Sequence, residues 1–388
     1  MKNIKKFTLG AIGATLLVTG LWACSNDEIS NTEQENNSDV ANKIGESIYK
    51  MNIDNGLDGD ILYFPSAELY DITEDFLYDQ THSYINSVME TVSVDWSDEA
   101  QNEYLDNISF DEDKIYKDFE NTYNFSSLRQ SINITYDQWL SEQTTLPDDE
   151  NNEDDPDNHP LVLEEQRTLF NKGGEIIVEN AEGDPIIYKI FDWGSLEIKN
   201  FDTNILKNIN IGKLRKINQI LSLIEGNPNY SIILNNSSDL TGCASGFVHK
   251  KYNHSSTGRQ VKSITKETGM PFSSFRQLVA KTVGFRYSKK RGYYRVSLWL
   301  VTGITGAKNS PDVDSPIRRF CADQPEYMYA KAETAKVRKF TRRIKNNVYN
   351  NYGIVVYDNA TYSYHGQGGF VFTKDFHPPH ERYVIQNQ

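Results

Sequence analysis

The chain has 388 residues, with 40 Lys/Arg against 54 Asp/Glu, a net charge of −14 and 38% hydrophobic residues. That length is a prior for two domains with apolar content enough for a core, and the negative balance argues against a nucleic-acid partner. The net charge hides a split: residues 1–210 hold 13 Lys/Arg and 43 Asp/Glu, whereas residues 211–388 hold 27 and 11. Such asymmetry reads either as a basic face for a polyanion or as two halves of one molecule attracting each other, and the second reading accounts for most of the charge.

The first stretch is basic (Lys2, Lys5, Lys6) and then apolar from Phe7 to Leu21. A run of about fifteen apolar residues is a secretory leader and is short for a membrane span, which needs roughly 20. No other segment of the sequence could span a membrane. Leu21-Trp22-Ala23-Cys24 resembles the lipobox of bacterial lipoproteins, although Trp22 stands where the pattern usually has a small or aliphatic residue. The resemblance implies lipidation of Cys24 after removal of residues 1–23. Asp27 and Glu28 look like the export tag of Bacteroidota-type surface lipoproteins. The polar stretch 24–57 cannot bury enough apolar surface to fold and reads as a tether.

Ile61-Leu62-Tyr63-Phe64 reads as a short strand stopped by Pro65. Ser66 is a fitting N-cap, and Leu69, Ile72, Phe76 and Leu77 then recur at helical spacing. Ser97 predicts a second helix carrying Tyr104, Leu105 and Ile108. Ile115, Phe119 and Tyr123 predict a third. Asp148 to Asp157 reads as a solvated acidic loop, with calcium as the sharper alternative. Asp54 to Asp60 resembles a calcium loop, but Gly56 occupies a ligand position and Pro65 falls where the closing Glu belongs.

From Glu175 the period changes to two. Glu175 to Glu179, Ile186 to Phe191 and Ser195 to Lys199 predict a three-stranded meander. Ile209 to Ile224 reads as one more helix, and 226–240 as a linker. Three stretches, Ile61 to Ser66, Phe125 to Arg129 and Leu169 to Val178, together resemble uncharacterised Bacteroidota-type surface lipoproteins over roughly 58–200. The resemblance implies location and architecture, and carries no catalytic residue.

The last third is rich in strands. Arg276 to Tyr287 and Gly292 to Thr302 predict a hairpin, with Tyr294, Val296, Leu298 and Leu300 on one face. Lys336 to Arg343 is a basic stretch. Gly353 to Tyr357, Ala360 to Tyr364 and Gly369 to Thr373 predict further strands. The expected class is α+β: an acidic region of helices and a small meander over 58–225, then, after the linker, a basic, mostly antiparallel region over 241–388. That second region is expected to be sandwich-like or an open barrel.

Once Cys24 is lipidated, Cys243 and Cys321 remain, and an even pair in an exported chain reads as a disulfide. Free buried thiols and a catalytic thiol are the alternatives. His377, His380, Glu381 and Asp375 gather metal-ligand types, but Pro378 and Pro379 exclude a helical pair of ligands and the tail reads as exposed. His249 and His254 near Cys243 lack an orienting third group. Ser263 to Lys266 matches an SxxK pattern without its companion motifs. No metal and no cofactor is expected.

The constellation Phe285 to Arg295 interleaves aromatic rings and cations. Tyr287, Lys289, Lys290, Arg291, Tyr293 and Arg295 could contact an anionic glycan or a protein partner; a plain exposed hairpin whose cations pair with the acidic half is the bland alternative. The sequence therefore reads as a protein held to the outer membrane by its lipid and facing the cell surface, with the periplasmic face as the alternative. A binding or interaction role leads; a hydrolase with a scattered site and a structural envelope component are the alternatives.

Overall fold

The computed structural model describes residues 39–45, 47–52, 59–93, 95–146, 155–157, 159–191, 193–212, 216–234, 248–254, 259–273, 275–308 and 327–347, and four later strands within 354–385; in some strands the backbone alone is described. Helices and mixed or antiparallel sheets make it an α+β protein. Among the described strands no sheet closes into a barrel. No helix among the described residues is long and apolar enough to cross a membrane.

The first sheet is built on Ile61–Phe64 (β2), which follows helical residues 39–45 (α1) and Tyr49–Met51 (β1); these lie in the stretch expected to be a tether, but Ala41, Ile44 and Ile48 are buried in the core and β1 pairs with β2. All four residues of β2 are buried. Leu62 and Phe64 face one apolar cluster and Ile61 and Tyr63 another, as period-two alternation requires of a strand covered on both sides. The next strand in the sheet is Glu175–Glu179 (β3), which runs parallel to β2. A parallel neighbour needs a crossover. Among the described residues five helices supply it: Ala67–Met89 (α2), Asp98–Asn107 (α3), Lys114–Thr122 (α4), Leu128–Glu142 (α5) and Glu164–Leu169 (α6). Ser66, Ser97 and Ser127 cap α2, α3 and α5 by accepting from Leu69, Ala100 and Gln130 amides.

Pro185–Phe191 (β4) and Gly194–Ile198 (β5) complete the predicted meander. The helix expected over 209–224 is two helices, Asn204–Gly212 (α7) and Ile217–Ile224 (α8). Tyr230–Leu234 (β6), within the stretch read as a linker, is a strand paired with β5 at the edge of the sheet.

The second sheet holds Val248–His254 (β7), Arg259–Gly269 (β8), Phe275–Ser288 (β9), Gly292–Arg295 (β10) and Lys339–Asn347 (β13). The third is built on Leu298–Lys308 (β11), with Tyr327–Val337 (β12), Ile354–Asp358 (β14), Thr361–Gly366 (β15), Phe370–Lys374 (β16) and Arg382–Ile385 (β17). The predicted hairpin is real only near its tip. Its second arm, expected to run unbroken from Gly292 to Thr302, divides: β10 stays on β9, and β11 passes to the third sheet. Gly284 marks the parting, because a side chain there would press on Leu298 and the Val296 carbonyl.

Residues of the acidic and basic halves share apolar clusters. Ile85 packs with Leu298, Leu300, Val337 and Phe340. Val162 and Leu163 meet Ile264 and Val279. Tyr136 and Leu140 of α5 meet Val283, Phe285 and Tyr293.

Candidate functional site

Two constellations compete. The first is an ionic layer between the halves. Asp157 accepts from Arg167 at 2.8 Å and from Lys281 and Lys262 at 3.2 Å; Asp155 pairs with Lys262 at 2.9 Å. Glu164 takes Lys339 at 2.8 Å and Lys281 at 3.1 Å, and Lys339 also meets Asp113 at 2.9 Å. Elsewhere on β12 and β13, Lys336 reaches Asp98 at 2.6 Å and Arg343 reaches Glu74 at 2.8 Å. Asp155 and Asp157 are each only 2% exposed, so the part of the acidic run that is described is buried rather than a solvated loop. The cations of β8 and β9 draw it in. They also answer the calcium alternative there, since those carboxylates already face lysines and an arginine.

Burial alone would raise Asp157, but Lys262, Lys281 and Arg167 outweigh it and hold the carboxyl well below its usual range. Glu164 is lowered in the same way: Lys339, Lys281 and Arg167 override its burial. Glu165 is different. Burial pushes it up to about 7, and Arg343 only partly opposes this. Asp71 is likewise raised by burial to about 6, against a hydrogen bond from Ser273. Perturbed groups can mark function, yet structural ion networks perturb them too. None of these carboxylates lines the open depression described next. Chemically, the layer joins the halves.

The second constellation is the β9–β10 tip. Ser288 pairs with Gly292, and Lys289 to Arg291 form the loop. The Arg291 amide donates to the Ser288 carbonyl and hydroxyl. Gly292 has φ +67, the left-handed closing position of a three-residue hairpin loop. A side chain there would also collide with the Ser141 carbonyl at the end of α5. Arg295 fixes the hairpin on that helix. Its guanidinium donates to both Asp137 oxygens, at 2.8 and 2.7 Å, and to Asn133 at 2.7 Å. Burial works against the Arg295 charge, but Asp137 more than offsets it, so its pKa is raised.

Between the tip and the end of α5 lies a depression of about 700 Å³. Tyr287, Lys289, Lys290 and Arg291 line it from the hairpin; Ser141, Glu142 and Thr144 line it from the helix side. Tyr287 is exposed. Lys289, Lys290 and Arg291 form no ion pair with a described residue, while Arg291 lies 5.9 Å from the Tyr294 ring centre. Of the six residues expected to bind, Tyr293 and Arg295 also border the depression, but packing and pairing hold them. Tyr293 is buried against α5, and Arg295 is held by Asp137. Sequence reasoning missed the α5 wall, because nothing local links Asp137 to Glu142 with residues 150 positions later.

Other expectations fall elsewhere. Cys24, Cys243, Cys321, Asp54, Asp375, His377, His380 and Glu381 lie outside the described residues. Ser263 to Lys266 sits in β8, and His249 and His254 sit in β7. Among the described residues no group of three or more His, Cys, Asp or Glu could hold a metal. In comparisons with known proteins, no family model, no curated sequence and no solved structure matches this chain.

Proposed function

We propose that this chain is a binding protein whose site is the depression beside the β9–β10 tip, and that it takes an anionic glycan. The observation that carries the reading is a contrast in pairing. Lys262, Lys281, Lys336, Lys339 and Arg343 are all paired to carboxylates of the acidic half. Lys289, Lys290 and Arg291 are turned to the depression beside an exposed Tyr287. Free cations next to aromatic faces suit a sugar ring bearing a carboxylate or sulfate. The hydrolase reading is weaker, because of the two carboxylates on the opposite wall Asp137 is neutralised by Arg295, which leaves Glu142 without a second carboxylate to work with. The test is a glycan array probed with the full mature chain, wild type and Lys289→Ala/Lys290→Ala/Arg291→Ala. Binding of acidic glycans that the triple variant loses supports the reading. Capture of acidic peptides but no glycan would replace the glycan by a protein partner.

The lipobox-like Leu21 to Cys24 and Asp27-Glu28 support the companion proposal that the protein is lipid-anchored in the outer membrane and faces outward, as the resemblance to surface lipoproteins implies. Cys24→Ala should abolish fatty-acid labelling. We read the second and third sheets as one sandwich-like or partly open barrel unit. The Thr302 to Thr282 hydroxyl contact at 2.8 Å, between β11 and β9, supports that reading. A Cys243–Cys321 disulfide belongs to the same proposal.

A further inference from the structure

The two walls of the depression differ in sign. On the hairpin wall stand Lys289, Lys290 and Arg291. On the helix wall stands the exposed Glu142, in the last turn of α5, at the negative end of the helix dipole. Glu142 forms no ion pair with a described residue, so Arg295 and Asp137 neutralise only each other. Both walls line the same depression, so an anion seated on the hairpin cations faces Glu142 across it.

This decides the charge density of the ligand. A polymer charged on every unit satisfies the cations but brings its next charges against Glu142 and the helix carbonyls. A polymer with one acid group flanked by neutral sugars does not. Its hydroxyls donate to the Glu142 carboxylate, which accepts only. Its ring face meets Tyr287. We propose, resting on the glycan-binding reading above, that the site selects a sparsely charged saccharide: an acidic sugar alternating with neutral, hydroxyl-rich ones.

The experiment is calorimetric titration of the full mature chain with three oligosaccharides of equal length. One carries a carboxylate on alternate sugars (hyaluronan-type), one is densely sulfated (heparin-type), and one is neutral (dextran-type). The hyaluronan-type probe is expected to bind tightest and the neutral one weakest. Glu142→Gln should weaken the sparse ligand by about tenfold, the order of one charge-assisted hydrogen bond, and strengthen the dense one. Lys289→Ala/Lys290→Ala should weaken both. If the dense probe binds tighter, loses affinity in the lysine variant and ignores Glu142→Gln, the selectivity is wrong while glycan binding stands. If neither charged probe binds, both ideas fall together.

Discussion

Lys281 and Lys289 lie eight residues apart, the first on β9 and the second just past its end, and their surroundings are opposite. Lys281 is 2% exposed, within 3.2 Å of both Asp157 and Glu164. Lys289 faces an open depression and pairs with no described carboxylate. The residue type is the same; the facing element differs. The middle of β9 looks onto the acidic turn before α6, whereas its tip looks onto the last turn of α5. Buried cations here serve cohesion, whereas those at the tip stand open to a ligand. A basic half is thus no measure of a basic surface.

The largest effect that could break this comparison is Asp157→Asn. It removes the charge facing Lys262, Lys281 and Arg167 but keeps the shape. Leaving buried charges uncompensated costs about 3–5 kcal/mol. Denaturant unfolding should show that loss, against a typical total of roughly 5–15 kcal/mol. A midpoint close to wild type would mean that the layer contributes little. Next comes Gly292→Ala, which strains a left-handed backbone and drives a methyl group into the Ser141 carbonyl. A cost of about 1–3 kcal/mol is expected, together with loss of ligand binding because the tip must lift from α5.

A pH series sharpens the comparison within the buried region itself. Glu165 is raised in the folded state from 4.5 to about 7. The unfolded chain therefore releases this proton first, and the contribution of Glu165 is full below its unfolded value and lost as pH rises to about 7. Asp157 and Glu164 are lowered, so their contribution is present above the unfolded value and lost only as pH falls through their folded ones. Melting temperature should decline between pH 5 and 7.5 by the equivalent of a few kcal/mol at most. Glu165→Gln should flatten the part of that decline above pH 6, since Asp71, raised to about 6, adds to the part below; an unchanged slope above pH 6 would assign it to another group. The smallest effect is at the tip. Lys289→Ala/Lys290→Ala should leave stability within about 0.5 kcal/mol of wild type, as for surface sites.

The elements set by local chemistry were legible in the sequence. Ser66 and Ser97 announce their helices, and Glu175 to Glu179 is a strand with the bounds its alternation implies. The end of the hairpin was not legible, since Val296 and Leu298 continue the same alternation although the chain changes sheets between them. The ionic layer was legible only as a bulk charge split. One signal was there: Val279, Lys281, Val283 and Phe285 share a buried strand face, and Lys281 interrupts it. A cation in such a place requires a buried carboxylate, but which one is a matter of tertiary packing. The depression could not be foreseen, because α5 and the tip meet only in three dimensions. The tyrosine and arginine nearest the helix, Tyr293 and Arg295, were read as ligand contacts for the same reason.

The chain emerges from the ribosome carboxylates first. Asp113, Asp157 and Glu164 precede Lys339 by well over a hundred residues, an interval of roughly 10–40 s at ordinary elongation rates. During that interval the first half carries its excess negative charge without the strands that neutralise it, and like charges resist compaction. Self-repulsion thus keeps the early chain open until β13 arrives and closes the ionic layer, ahead of β14 to β17. Such distant pairings predict slow folding, with closure of the layer timed by the last third of the chain.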